Sequence, residues 1–380
     1  MIAGLTFALC AACVAALLAP LCRAQEDAAQ NLPSFPYAGG WLGADDAYSI
    51  PLGAHRSLWL FGDTFVGNPD TAERSKATTM IHNSIGISTC IAEGPCAIQY
   101  YWRDPLSARP RAFFDTGRND LWCWPLDGIR QGNALYLSLL MVRPRAGAGP
   151  NDPFGFEITG TTWARVTNLA APPAQWHIAT IPLTHGNLWA GVSIVPYGKF
   201  LLLYSQVNEG GGNGYMIVLR VPVGKIDAPA THWEYYGSDR KWRPLTPHPD
   251  PLHMDPLHGP DPLHVIDQAI SEMTVRYHAA AREWVAISPG PEPLSRRIVA
   301  RVANSPVGPW SPPVTVFQFP EMNPENPLHD KDTFCYATKE HVEFSDSQLV
   351  LTYACNSSLA KTLKNMKIYR PQVVVTNLPK

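Results

Sequence analysis

The stretch GADDAYSIPLGAHRSLWLFGDTFVGN, from Gly43 to Asn68, decides the fold. Two apolar, alternating runs flank a short Gly-containing turn near residue 54, which is the pattern of a β-hairpin. Carboxylates stand at the ends away from the turn, Asp45 and Asp46 on one run and Asp63 on the other. Residues equidistant from the turn of an antiparallel hairpin face each other. We therefore expect Asp45 and Asp63 to meet at the open end of the hairpin.

The same unit, an apolar run, a short turn and a second apolar run, recurs along the chain. Its turns fall near residues 54, 131, 198, 280 and 346, roughly 65 to 80 residues apart, which fits a repeat with extended loops. Five four-stranded sheets arranged radially would bury their faces against each other and expose only short edges. The sequence therefore predicts an all-β fold, a five-bladed β-propeller, and a pair of β-sandwich domains is the alternative.

The first 24 residues have the apolar run and small-residue end of a secretory signal peptide, with cleavage near Ala24. A lipoprotein signal through Cys22 is the alternative. We expect residues 25–380 to form one propeller domain, secreted or periplasmic, monomeric and free of the membrane once the signal is removed. Thirty basic and 32 acidic residues give a net charge of −2 without a basic stripe, so the composition predicts no nucleic-acid partner.

Five cysteines follow the signal segment, an odd number in a compartment that permits disulfides. Cys90 and Cys96 would close a small loop, and Cys335 and Cys355 could pair across the fifth hairpin, leaving Cys123 buried or free. The alternative is that all five are small buried side chains.

Two opposed carboxylates on a hairpin would lie about 4.5–5.5 Å apart at Cβ, an unfavourable arrangement unless a site uses it. Such a pair has divergent pKa values, so that one group holds a proton and the other stays ionised. That combination predicts a general acid and a general base. Strand alternation lets only one of Asp45 and Asp46 face the channel, and we assign Asp45.

The other hairpins place acids, aromatics and amides at the same rim, which is typical of a carbohydrate site. By the same symmetry Trp189 lies opposite the neighbourhood of Gln206, and Glu272 begins the fourth hairpin. Trp122 and Trp124 begin the second hairpin, and the fifth offers Lys339, His341 and Asn356.

The motifs Gly-Ala-Asp, LWLFGDTF and HNSIGIS, within residues 43–88, resemble secreted five-bladed propeller families related to glycoside hydrolases. In particular, they are similar to the formerly uncharacterised domain group that contains endo-D-arabinanases, alongside the broader arabinanase-like and levansucrase-like propellers. The resemblance implies catalytic acids at the central channel, carried here by Asp45, Asp63 and Glu272. The predicted sugar-binding residues are Asp46, His82, Asn83, Trp122, Trp189, Gln206, Lys339 and His341.

Each assignment has a structural alternative. Asp63 could cap a turn, Glu272 could pair with Arg276, and His82 could be an interior histidine. The two tryptophans could belong to the core.

The leading hypothesis is a secreted glycoside hydrolase without a cofactor or catalytic metal, acting on a polysaccharide or oligosaccharide. One alternative is a non-catalytic carbohydrate-binding propeller whose acids bind hydroxyls or a structural calcium ion. Another is a polysaccharide lyase that uses Lys339 with His341.

The motif Asp-Pro-Leu-His occurs three times between residues 250 and 264. Carboxylate and imidazole are metal ligands, but the proline density and the absence of zinc-type spacing favour an extended loop entering the fourth blade.

Overall fold

The computed structural model describes residues 31–91, 95–149, 152, 155–210, 213–245, 261–345 and 347–379. The predicted signal segment, residues 1–24, lies outside the described residues. No helix in the described part of the chain is long and apolar enough to cross a bilayer.

The chain forms five antiparallel sheets in sequence order, which confirms the five-bladed propeller. The first blade contains β1 (Trp41–Gly53), β2 (Arg56–Val66), β3 (Thr79–Ile81), β4 (Ser84–Thr89) and β5 (Ala97–Tyr101). The second contains β6 (Trp122–Gln131), β7 (Ala134–Pro144), β8 (Phe156–Val166) and β9 (Ile178–His185). The third contains β10 (Leu188–Tyr197), β11 (Phe200–Gly210), β12 (Asn213–Pro222), β13 (Glu234–Tyr236) and β14 (Trp242–Pro244).

The fourth blade contains β15 (Thr274–His278), β16 (Glu283–Pro289), β17 (Arg297–Ala303) and β18 (Val314–Gln318). The fifth contains β19 (Phe334–Glu340), β20 (Gln348–Asn356) and β21 (Gln372–Asn377), with the helix α1 (Leu359–Lys364) between β20 and β21. Short 3-10 turns occur at Arg74–Lys76, Pro173–Gln175, Val223–Lys225, Ala230–His232 and Pro320–Met322.

All five predicted hairpins form, as the β1/β2, β6/β7, β10/β11, β15/β16 and β19/β20 pairs. The uniform count of four strands a blade is wrong: the described sheets have five, four, five, four and three strands in order. The first strands of the blades contact each other in a closed cycle, β1 to β6, β10, β15, β19 and back to β1. These five strands therefore line the central channel.

Apolar side chains between neighbouring blades hold the ring together. The largest cluster joins Leu58 and Leu60 of the first blade to Leu137 of the second, Leu202 of the third and Val275 of the fourth, all fully buried. Period-2 alternation explains this directly, because every blade presents one row of apolar side chains to each neighbour.

Both predicted disulfides are present, Cys90–Cys96 and Cys335–Cys355. Cys123 is a free, buried thiol whose pKa is raised to about 12, mainly by burial. It donates to the Phe114 carbonyl at 3.2 Å, so it is a core residue rather than a reactive one.

Two of the three Asp-Pro-Leu-His repeats, Asp250–His253 and Asp255–His258, lie outside the described residues. In the third, His264 stacks on Tyr215 with ring centroids 3.5 Å apart, and its Nδ1 lies 3.3 Å from Asp267 Oδ1. This imidazole is engaged in packing within the fold.

Four of the five channel strands break their pairing register. The irregularities fall after Trp41, Ala44 and Asp46 in β1, between Pro125 and Gly128 in β6, between Trp189 and Ser193 in β10, and between Tyr336 and Lys339 in β19. Bulges of this kind redirect side chains and are common beside functional sites. They determine which groups enter the channel.

Candidate active site

The first hairpin brings two adjacent carboxylates to the same place. In β1, Asp46 has φ 60° and Ala47 has φ 116°, values that side chains of L-residues rarely adopt. A Cβ at Gly62 on the facing strand would lie 2.4 Å from Asp45 Oδ1 and 2.9 Å from Asp46 Oδ2. Both carboxylates therefore lie over Gly62, and the prediction that alternation admits only one of them is wrong, because the bulge interrupts the alternation.

A side chain at position 62 would displace one or both carboxylates. Gly62→Ala should destabilise the fold by about 1–3 kcal/mol, as overpacking does in other cores, because its methyl group would occupy the space of both carboxylates. Gly224→Ala is the matched control, since nothing lies within 4 Å of a Cβ there. Denaturant titration of the two variants would measure the difference, and an equal effect at both positions would contradict the crowding.

Asp45 is held by two phenols from the fifth blade. Tyr336 donates to Asp45 Oδ2 at 2.7 Å, and the Tyr369 hydroxyl lies 3.4 Å from the same oxygen. Burial raises the pKa of Asp45 well above its usual range, and the charges of Asp46, Asp63 and Glu272 add to the rise. The hydrogen bond from Tyr336 opposes this rise.

Asp63 has different surroundings. Its Oδ1 accepts a hydrogen bond from Trp124 Nε1 at 2.9 Å and lies 3.1 Å from His82 Nδ1. Its side chain is 22% exposed, and Tyr369 donates to its backbone carbonyl at 3.1 Å. Asp63 is a partly exposed carboxylate, and Asp45 is partly exposed as well. The charge of Asp63 contributes to the raised pKa of Asp45. The two residues are not partners in the ladder, contrary to the predicted facing positions.

Asp46 and Glu272 share one buried cation. Lys339 Nζ, fully buried, lies 3.6 Å from Asp46 Oδ1 and 4.1 Å from the centroid of the Tyr48 ring. Burial raises the pKa of both carboxyls, and the charge of Lys339 opposes the rise in each. Glu272 Oε2 also accepts the Ala337 N–H at 2.6 Å.

The alternative pairing of Glu272 with Arg276 is wrong. Arg276 Nη1 lies 3.0 Å from Asp127 Oδ2 and donates to Ser193 Oγ at 2.8 Å. Asp127 also accepts the Ile194 N–H at 2.8 Å. This fully satisfied, buried cluster joins blades two, three and four across the channel, and it leaves Glu272 to the acid group above.

Aromatic rings flank the acids on two sides. His82, 42% exposed, stacks on Trp122 with centroids 4.6 Å apart and an interplanar angle of 18°. On the opposite side Phe334 stacks on Tyr336 at 5.2 Å. Partly exposed rings around polar groups are the usual walls of a small-molecule site, so His82 and Trp122 remain sugar-contact predictions.

Five of the predicted sugar contacts are buried: Asn83, Trp189, Gln206, Lys339 and His341. Asn83 is fully buried, donating to the Cys123 carbonyl and accepting the Phe114 N–H. Trp189 is paired opposite Gln206 as predicted, but it is 4% exposed in the core and Gln206 donates to the Ala269 carbonyl. His341 is buried between the hydroxyls of Ser49 and Thr352.

Burial lowers the pKa of His341 to about 3, with the charges of Arg276 and Lys339 contributing. A neutral imidazole bonded on both nitrogens is not available as a base beside Lys339. The lyase alternative therefore loses the pair on which it depended.

Sequence reasoning missed Tyr336 and Tyr369 as partners of the acids. It placed Trp124 with Trp122 at the start of the second hairpin, on the rim of the acids, but did not pair it with Asp63. No hairpin symmetry points to Tyr369, which lies in the connection that follows α1.

One potential group of metal ligands comes together within the described ranges, Glu321 with Cys335 and Cys355. Both sulfurs belong to a disulfide, so they are not thiolate ligands. The acids of the first hairpin do not form such a group in this part of the chain.

Several solved structures are similar to this chain. A presumed hydrolase from Bacteroides ovatus ATCC 8483 matches 90% of this chain and 86% of its own at 17% identity, with a TM-score of 0.64. The RS223 β-xylosidase matches 90% of this chain and 94% of its own at 10% identity, with a TM-score of 0.46. An exo-1,5-α-L-arabinanase from a bovine ruminal metagenomic library matches 90% and 95% at 8% identity, with a TM-score of 0.43. At 17% identity, the likeness to the Bacteroides ovatus structure is one of fold.

A search of curated protein sequences finds no match. A family profile described as a domain of unknown function matches residues 34–376, nearly the whole of the propeller. The resemblance inferred from the first hairpin is confirmed at the level of fold. This match, with the five-bladed architecture, shows that the chain belongs to the DUF5005 family.

Proposed function

We propose that this protein is a secreted glycoside hydrolase that cleaves a polysaccharide or oligosaccharide at the mouth of the channel. The observation that carries the proposal is the pairing of two neighbouring carboxyls in unlike environments. Asp45 is held by phenols and has a raised pKa, whereas Asp63 is accessible and bonded by N–H groups. Pairs whose environments push their protonation apart supply the acid and base of glycoside hydrolysis.

In this proposal Asp45 protonates the leaving oxygen and Asp63 activates water or attacks the anomeric carbon. Because Asp45 Oδ2 accepts from Tyr336, Oδ1 is the oxygen that carries the proton. Glu272, whose pKa burial also raises, tunes Asp45 or substitutes for it. Lys339 keeps Asp46 and Glu272 from both becoming neutral, since its charge lowers the pKa of each.

Export to the periplasm or outside the cell is part of the proposal. The signal-like residues 1–24 and the Cys90–Cys96 and Cys335–Cys355 disulfides support it, because such bonds persist in oxidising compartments.

The test is a screen of the purified mature chain against plant and bacterial cell-wall glycans, with Asp45→Asn and Asp63→Asn beside it. We expect new reducing ends from at least one glycan, none of them bearing the unsaturated unit that a lyase leaves. Binding without release of reducing ends, equal in all three proteins, would instead identify a carbohydrate-binding propeller.

The pH dependence of stability tests the assignment of Asp45 independently of any substrate. A carboxyl whose folded pKa is raised keeps its proton while the unfolded form has lost it, so stability falls as pH rises from about 4 toward the folded value. Asp45→Asn removes that loss and should be as stable as the native chain, or more stable, at pH 7. Asp70→Asn, at an exposed position of the same blade, is the control.

Thermal unfolding of these proteins between about pH 4 and pH 8 would measure the effect. A steeper fall in stability for Asp45→Asn than for the native chain would contradict the raised pKa of Asp45.

A further inference from the structure

The connection between β20 and β21 lies on the same face of the propeller as the acids. Asn356, the last residue of β20, pairs with Phe334, the first residue of β19. Thirteen positions along the chain, Tyr369 places its hydroxyl 3.4 Å from Asp45 Oδ2 and 3.1 Å from the Asp63 carbonyl. Residues 358–370 therefore form part of the rim around the channel mouth.

This rim segment is strongly basic, although the whole chain has a net charge of −2. Lys361, Lys364, Lys367 and Arg370 follow one another at intervals of three, and the sequence contains no acid after Asp346. Lys361 is neutralised by Asp330 at 3.0 Å. Lys364 and Lys367 are exposed, and neither has an ion-pair partner in the described part of the chain. A basic patch is thus present that the overall charge balance conceals.

The lysines surround an open depression of about 710 Å³. Its lining includes Lys361, Lys364 and Lys367 with the polar Asn365 and Ser358, and it includes no carboxylate. The ammonium groups of Lys364 and Lys367 and the side-chain amide of Asn365 lie on one concave surface. All three are hydrogen-bond donors that can bind an anion. Neutral sugars would leave both charges without a counterpart.

Negative and positive groups therefore occupy different parts of this face of the propeller. Four carboxyls, Asp45, Asp46, Asp63 and Glu272, lie at the mouth, and the charge of Lys339 acts on two of them, Asp46 and Glu272. This excess of carboxyls disfavours an anionic group at the reacting bond. Beside them the rim carries unpaired positive charge. Exposed charges act over about 8 Å at physiological salt, so each region acts on the part of a bound chain directly above it.

We propose that the depression lined by Lys361, Lys364 and Lys367 binds carboxylate substituents of an acidic polysaccharide, placing an uncharged linkage over the channel acids. This inference rests on the proposed function for the presence of a glycan, and it names the class of that glycan. The lysine-rich rim selects a chain with negative groups, and the acid cluster selects the neutral bond within it.

The experiment compares binding of one polymer in two forms, linear arabinan and its carboxymethylated derivative, by calorimetry at about 50 mM and about 200 mM salt. The native chain should bind the carboxymethylated form more tightly, and less so at the higher salt. Lys364→Gln with Lys367→Gln should reduce that binding roughly tenfold, as the loss of two exposed charge pairs would, and leave binding of neutral arabinan unchanged. Glutamine retains much of the aliphatic stem and so preserves packing.

The matched control is Lys225→Gln with Lys241→Gln, which removes the same charge from exposed positions on the third blade. An equal loss in the control pair, or no loss in the rim pair, overturns the inference. The native chain could instead bind phosphatidylglycerol vesicles and show no preference for the carboxymethylated polymer. If the rim substitutions abolished that vesicle binding, the patch would be a membrane-binding surface and the inference would be overturned. The calorimetry measures binding and requires no turnover. The binding test can therefore succeed or fail independently of the screen for hydrolase activity.

Discussion

Asp63→Asn should lower turnover of the glycan identified by the screen by about 10²–10⁴-fold, the range for loss of a positioned general base. The amide keeps an oxygen for Trp124 Nε1 and His82 Nδ1, which now bond Asp63 Oδ1 at 2.9 Å and 3.1 Å. It cannot accept a proton from water or attack the anomeric carbon. Substrate binding should change little, so the loss should fall on kcat rather than on KM.

The control for this substitution is Asp70→Asn, an exposed carboxyl of the same blade, which should turn over at the native rate. Added azide should restore part of the rate in Asp63→Asn, because an external anion can replace a missing nucleophile or base. Asp63→Asn with a rate within about threefold of native would remove Asp63 from the chemistry, since general base catalysis contributes far more than that. Glu272 and Asp46 would then be the remaining candidates.

The architecture could be predicted because its determinants are local. Each hairpin is encoded by alternation and by a turn, as in Leu52–Arg56 of the first blade, and five such signals at similar spacing specify a ring. The turns fall where the sequence predicts them. The position of Gln206 opposite Trp189 also followed from symmetry alone.

The site could be predicted in part, because the register that aims its side chains depends on packing. The bulge at Asp46 and Ala47 places two acids over Gly62, and period-2 reasoning excludes that outcome. The phenols on Asp45 come from residues 291 and 324 positions away. Such contacts form only when the ring closes, and the sequence pattern within one blade does not predict them.

One buried arginine bonds the first blade to the last. Arg74, in the 3-10 turn of the first blade, is fully buried and donates to the carbonyls of Leu42, Thr362, Asn365, Ile368 and Tyr369. Four of these acceptors lie in the connection between β20 and β21. No described strand from one end of the chain completes the blade at the other end. Arg74 therefore joins the first and last blades, and it fixes the segment that carries Tyr369 to Asp45.

Arg74→Leu should destabilise the protein by about 3–5 kcal/mol, because it leaves several buried carbonyls without donors at about 1–3 kcal/mol each, partly recovered by relaxation. Arg74→Lys, with three donors in place of five, should be intermediate. Arg118→Leu is the control, since Arg118 is exposed and pairs only with Asp120 among the described residues, and it should change stability by less than about 1 kcal/mol. Urea unfolding followed by tryptophan fluorescence measures all three. A loss of less than about 1 kcal/mol in Arg74→Leu would contradict this role of Arg74. Burial of apolar surface between the first and fifth blades is the other large stabilising contribution there, so that packing alone would then close the ring.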